Sequence, residues 1–225
     1  MRVRVFTVEV KGQKGYDVEV LSPEATVQDY LDGLNRLIEE GGLARLRCAI
    51  KLCAGCDRCC AERIPLTSID VFQLRQAQGI GGNSLYEVLS RCAEVEVESP
   101  WVDITLSRDG SGACLFLNKE NRHCKIYAHR PLVCQTFICS PATERAKSLR
   151  STVVNTGEDE LVRLWLMEGM LTGSLPVNKG GAKDLSLTDW EENPFTGKLN
   201  YGQILLKDLC PEKLWSALSL QANCP

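Results

Sequence analysis

Hydrophobic and polar positions change period several times along the chain, and each change predicts an element. Two strands are expected first, Arg2 to Val10 and Tyr16 to Leu21, separated by Lys11-Gly12-Gln13-Lys14-Gly15. In the second, Tyr16, Val18 and Val20 alternate with Asp17 and Glu19, the pattern of a half-buried strand. The period then becomes helical: Val27, Tyr30, Leu31, Leu34, Leu37 and Ile38 share one face, behind a capping-box pair Thr26 and Asp29 and ahead of the stop Gly41-Gly42. Thr67 and Asp70 repeat the capping spacing before a helix ending near Gly79, and Ser84 to Ala93 is expected to be another. Trp101 to Ser107 and Ala113 to Leu117 read as paired strands around Asp109-Gly110-Ser111-Gly112. Thr156 and Asp159 are expected to cap a helix through Leu161, Leu164, Trp165 and Met170, and a loop-rich stretch from Ser174 to Gly202 precedes a short helix after Pro211. The fold class is α+β. Its N-terminal hairpin and helix resemble the opening of a β-grasp unit, its middle is a small cysteine-rich domain, and its C-terminal extension is mainly helical. The expected boundaries are 1–47, 48–150 and 151–225.

Composition narrows the class. With 44% hydrophobic and 24% charged residues over 225 positions, the chain has the usual globular mix. A net charge of −3 argues against wholesale nucleic-acid binding. The longest stretches without Asp, Glu, Lys or Arg, Pro131 to Thr143 and Leu214 to Pro225, span 13 and 12 residues. A membrane-spanning helix needs ~18. Glu9 is reached before any apolar run, so no signal peptide, no membrane and a cytoplasmic location are expected. Charge is uneven: −3 over residues 1–43, +4 over 44–150 and −4 over 151–225.

Twelve cysteines are too many for an ordinary cytosolic chain, and ten lie in the basic middle part. In a reducing compartment, clustered thiols usually hold metal. A basic surround fits, because a metal–thiolate cluster carries negative charge that cations and backbone amides offset. The densest run, Cys53-Ala54-Gly55-Cys56-Asp57-Arg58-Cys59-Cys60, is C-x2-C-x2-C-C. Such spacing lets a turn present several sulfurs to one centre, as in zinc knuckles and in the C-x2-C-x2-C loop around a [4Fe–4S] cubane. If Cys59 and Cys60 lie in an extended segment they face opposite sides, which points to a second centre or a bridging sulfur. Cys114, Cys124 and Cys134 follow at equal intervals.

Those later cysteines sit in Cys114-Leu115-Phe116-Leu117, in Cys124-Lys125-Ile126-Tyr127-Ala128-His129-Arg130-Pro131 and in Cys134-Gln135-Thr136-Phe137. Together with C-x2-C-x2-C-C and the Ile64-Pro65-Leu66-Thr67 turn with Asp70, they resemble the CxxCxxCC (YkgJ-type) cysteine-cluster proteins. That family is described as zinc- or iron-chelating, and its larger relatives include flagellin lysine N-methylases. The resemblance runs from about Cys53 to Phe137. It implies that Cys53, Cys56, Cys59, Cys60, Cys114, Cys124 and Cys134 are metal ligands. The family commonly has Arg after the last motif cysteine, where this chain has Gln135.

Seven thiolates exceed the four that one zinc or one cubane takes, so two centres or a polynuclear one are expected. One partition gives Cys53, Cys56 and Cys59 to a first centre, completed by Cys48 or Cys139, and Cys60, Cys114, Cys124 and Cys134 to a second. An iron–sulfur cofactor, one or two [4Fe–4S] clusters, is the favoured reading, with electron transfer or a modification reaction as its task and a redox or substrate protein as partner. The alternatives are a structural Zn2+ module and a cluster-containing methylase using S-adenosylmethionine, although no residue pattern marks a site for that molecule. Cys48, Cys53 and Cys56 also reproduce the C-x4-C-x2-C spacing of plant-type [2Fe–2S] ferredoxins, which leaves the later cysteines unexplained. Arg130 is expected to donate to the centre or bind an anion, or else to pair with Asp57 or Asp70, while Tyr127 packs beside it. Cys92, Cys210 and Cys224 read as non-ligands, and His123 and His129 as surface or supporting groups. No P-loop, G-x-G-x-x-G turn, H-E-x-x-H helix or G-x-S-x-G elbow occurs.

Overall fold

A computed structural model describes residues 1–40, 56–81, 84–136, 140–181 and 185–219. The Gly41-Gly42 stop, Cys48, Cys53, Cys139 and Cys224 lie outside the described residues. The α+β class holds, and the elements gather into two compact units: 1–56 with 135–153 and 198–225, and 57–134 with 154–197.

The first unit begins with an antiparallel hairpin of β1 (Val3–Val10) and β2 (Gln13–Val20), in register from Val3 opposite Val20 to Val10 opposite Gln13. Lys11 and Gly12 both take positive φ, 51° and 76°, which makes a two-residue turn whose twist matches the strands. The second strand therefore starts three residues earlier than its alternation alone predicts. The helix α1 (Val27–Glu39) opens with the predicted reciprocal cap between Thr26 and Asp29. It buries Val27, Tyr30, Leu31, Leu34 and Leu37, and at Gly33 it comes so close to β1 that a Cβ would lie 2.9 Å from Val5. Among the described residues this sheet stays two-stranded. Single bridges from Ala142 and Ser219 lie along the outer edge of β2. Two short helices, α6 (Leu206–Leu209) and α7 (Glu212–Leu218), complete the unit; the second is the one expected after Pro211.

The second unit holds α2 (Ser68–Gln78), α3 (Leu85–Cys92), β3 (Ala93–Glu98) and β4 (Trp101–Leu106). The capping box at Thr67 and Asp70, the left-handed Gly79 that ends α2, and the Ser84 cap of α3 all match the sequence reading. The strand pairing does not. β4 pairs with β3, whose Ala93, Val95 and Val97 are buried, and β3 also takes the two-residue β5 (Lys179–Gly180) in parallel. Residues 113–117 form only single bridges, Arg108 with Cys114 and Leu117 with Cys124.

A five-residue helix, α4 (Leu132–Thr136), is followed by α5 (Glu144–Thr172), 29 residues long. Thr156 and Asp159 lie inside α5 and do not start it. Thr143 begins it instead, its hydroxyl accepting the Ala146 N–H at 3.3 Å. No helix among the described residues is long and apolar enough to cross a membrane.

Candidate metal centre

Residues 58–61 fold as a single 3-10 turn, closed by Cys60 N–H on Asp57 O at 2.9 Å and Glu62 N–H on Cys59 O at 3.1 Å. At three residues per turn, neighbouring side chains diverge by about 120° rather than 180°. Cys59 and Cys60 therefore do not face opposite sides. Cys59 is hydrogen-bonded to Cys60 and to Cys134, and Cys60 is hydrogen-bonded to Cys114. One line of hydrogen-bonded sulfurs, Cys134, Cys59, Cys60, Cys114, runs across the expected partition between Cys59 and Cys60.

Three short devices bring the distant cysteines to that turn. The Cys114 N–H bonds to Cys60 O at 2.8 Å, which fixes residue 114 directly against the turn. The Cys114 sulfur also accepts the Phe116 N–H at 3.4 Å, and the Cys124 sulfur accepts the Ile126 N–H two residues on. These two C-x-hydrophobic turns aim backbone amides at sulfur, as metal knuckles do to offset thiolate charge. The Leu117 to Cys124 bridge and Lys125 N–H on Phe116 O at 2.9 Å hold them side by side. Cys134 rides on α4, whose start is anchored by Leu132 N–H on Asp70 at 2.8 Å. Asp70 is fully buried and also closes the cap of α2 by accepting Thr67 N–H at 2.9 Å.

Protons are shared unevenly along the line. Hydrogen bonds from Cys134 and Cys60, aided by the Arg130 charge, pull Cys59 down to about 3. The hydrogen bond from Cys60, helped by the Phe116 amide, lowers Cys114 to about 7. Cys60 and Cys134 are pushed up because they supply those bonds and keep their protons, and burial raises Cys124. Sulfurs favoured as thiolates, Cys59 and Cys114, thus alternate along the line with the thiols Cys134 and Cys60. A thiophilic cation takes the place of such protons, since only thiolate sulfur ligates. Among the described residues no three Cys, His, Asp or Glu groups already converge as a coordination sphere. Protonated sulfurs touch in pairs, whereas a cation draws them to one point. The donor set fits zinc or iron, both of which accept all-thiolate ligation.

Of the other predicted residues, Cys56 is half-buried. Arg130 lies 3.8 Å over the Tyr127 ring, and its Nε donates to Tyr127 O at 3.1 Å. From there its charge favours the ionised forms of Cys59 and Cys124. Tyr127 is 41% exposed, so it serves as the platform for Arg130 and is not packed into the centre. Asp57, one of the partners considered for Arg130, pairs with Arg122. His123 is exposed, and Cys92 and Cys210 are buried thiols raised by burial, the latter to about 11. The tie from Asp70 to Leu132 is absent from the sequence reading. Its only trace there is that Asp70 belongs both to a capping box and to the family pattern.

Residues 52–155 match the family model described as "CxxCxxCC: putative zinc- or iron-chelating domain". This segment is similar to the CxxCxxCC domain. It covers slightly under half of the chain and includes every described sulfur of the line. The CxxCxxCC family is described as zinc- or iron-chelating, which agrees with the motifs from Cys53 to Cys134. No curated protein and no solved structure matched the chain.

Proposed function

We propose that the CxxCxxCC-like segment chelates zinc through Cys59, Cys60, Cys114 and Cys134, with Cys124 beside them, and that the centre holds four otherwise separate loops together. The supporting observation is the line of hydrogen-bonded sulfurs. Zn–S bonds of ~2.3 Å separate the sulfurs of a tetrahedral site by roughly 3.8 Å. Sulfurs in hydrogen-bond contact need to move little to reach that spacing. Binding of such an ion is itself folding free energy, because the unfolded chain offers no such site. A reducing cytoplasm keeps the thiols available.

A second reading keeps one observation of its own, the x2, x2 spacing of Cys53, Cys56 and Cys59, which favours a [4Fe–4S] cluster. Under it the protein relays single electrons, or supplies the cluster of a modification reaction such as S-adenosylmethionine-dependent methylation, to a redox or substrate protein partner. Its ligand sulfurs must move apart to take the larger cubane.

Zinc, iron and acid-labile sulfide per chain after anaerobic purification separate the two. One or two zinc ions without sulfide is the expected result. Cys→Ser at 59, 60, 114 or 134 then removes metal, while the same change at Cys92 or Cys210 leaves the count intact. About four irons with matching sulfide establish the second reading, and a metal-free chain overturns both.

A further inference from the structure

Beside the 3-10 turn of residues 58–61 is an open cleft of about 360 Å³, lined by Asp57, Arg58, Cys60, Glu62, Ala113 and Leu117 among others. This volume is at the small end of ligand sites and corresponds to roughly ten waters. Cys60 is the one cysteine of the line among its lining residues, and the residue is 8% exposed. The charges around it are unequal in their freedom. Asp57 is engaged by Arg122, which donates from two nitrogens to its two oxygens. Glu62 stands exposed at the rim, where solvent screens it. Arg58 is half-buried and has no ion-pair or hydrogen-bond partner among the described residues. An unpaired guanidinium in a cleft presents a planar fork of donors that matches a carboxylate.

We propose that this cleft is the exchange port of the metal centre, which admits a small carboxylate-bearing chelator against Arg58 and directs its oxygens to the metal on the Cys60 side. The inference rests on the metal reading above and adds the route and the ligand class. In the exchange, the metal's bond to the Cys60 sulfur breaks as a bond to a carboxylate oxygen forms. The released thiolate takes a proton from solvent, and no electron changes hands. Ala61, Ala113 and Leu117 supply the apolar wall along which the carbon frame of such a ligand lies.

The test compares metal release from the loaded full chain to two chelators of similar size, anionic nitrilotriacetate and neutral 1,10-phenanthroline. Metal content before mixing confirms that each variant is loaded. Arg58→Glu is expected to slow release to nitrilotriacetate by about tenfold, the low end of electrostatic steering, with little change toward phenanthroline. Leu117→Trp, which fills the cleft, is expected to slow both. Equal effects of Arg58→Glu on the two chelators, or release that ignores both variants, overturns the port while leaving the metal centre in place. A wild-type chain that purifies without metal overturns the metal reading itself, so the two failures are distinguishable.

Discussion

Asp70 shows how one side chain serves both the fold and the site. Its carboxylate accepts Thr67 N–H, which closes the start of α2, and Leu132 N–H, which starts the helix that carries Cys134. Both donors are buried, so deleting the acceptor strands them in a medium that offers no substitute. Asp70→Ala is expected to cost about 3 kcal/mol, from two charge-assisted bonds partly offset by relaxation, and to lower metal occupancy because Cys134 loses its anchor. Asp70→Asn keeps one acceptor oxygen and is expected to lose less. Urea denaturation with a parallel metal count checks this, and a loss below about 1 kcal/mol for the alanine variant contradicts the double role. The capping half of that role was legible, because Thr67-x-x-Asp70 is a local pattern. The other half was not: Leu132 lies 62 positions away, and nothing in its identity marks its N–H as a partner.

Among the elements, those closed by short-range chemistry matched the sequence. The caps at Thr26, Thr67 and Ser84 and the left-handed Gly79 depend on residues within one turn. β3 escaped because it follows α3 without a turn, so Cys92 ends one period and Ala93 begins another with no Gly or Pro between them. α5 was cut short because Thr156 and Asp159 imitate a cap inside it, while the buried series Ala146, Leu149, Val153, Gly157 and Leu161 runs through that point unbroken. The sulfur line was half legible. Spacing identified the cysteines, but their grouping depended on the 3-10 turn at Cys59 and Cys60, and residue order gives no sign of that turn. Gly157 belongs to the same helix and reflects its packing. A Cβ there would stand 2.7 Å from the Thr67 Cγ2 and 2.8 Å from Phe195. Gly157→Ala gains ~1 kcal/mol of helix propensity, yet overpacking against a fully buried threonine costs about 1–3 kcal/mol. A lower melting temperature is expected. A raised one shows that Thr67 and Phe195 yield freely and that α5 does not depend on this close approach.

At the scale of the whole molecule, the clustering of charge gives stability a pH dependence separate from the thiols. In the second unit, Arg63 bridges Glu96 and Asp103 at 2.8 and 2.6 Å, and Lys179 also binds Glu96. Glu158 reaches the same cluster from α5. Burial, then the charges of Asp103 and Asp159, push it from an ordinary 4.5 to about 8. It is therefore held protonated beside Asp103, whose buried Oδ1 has no hydrogen-bond partner among the described residues. The folded pKa lies above the unfolded one, so Glu158 supports the fold fully below about 4.5. That contribution is lost progressively as pH rises, and it is gone above about 8. Gln at this position keeps a donor toward Asp103 and cannot ionise. Glu158→Gln is accordingly expected to match the wild type near pH 5 and to exceed it by on the order of 2 kcal/mol near pH 8.5, a figure reduced because the group is partly solvated. Every thiol titrates identically in the two proteins, so the difference between their denaturation curves isolates Glu158 even while metal affinity changes with pH. A gap that stays constant from pH 5 to 8.5 means that Glu158 is ionised throughout and is not held protonated beside Asp103.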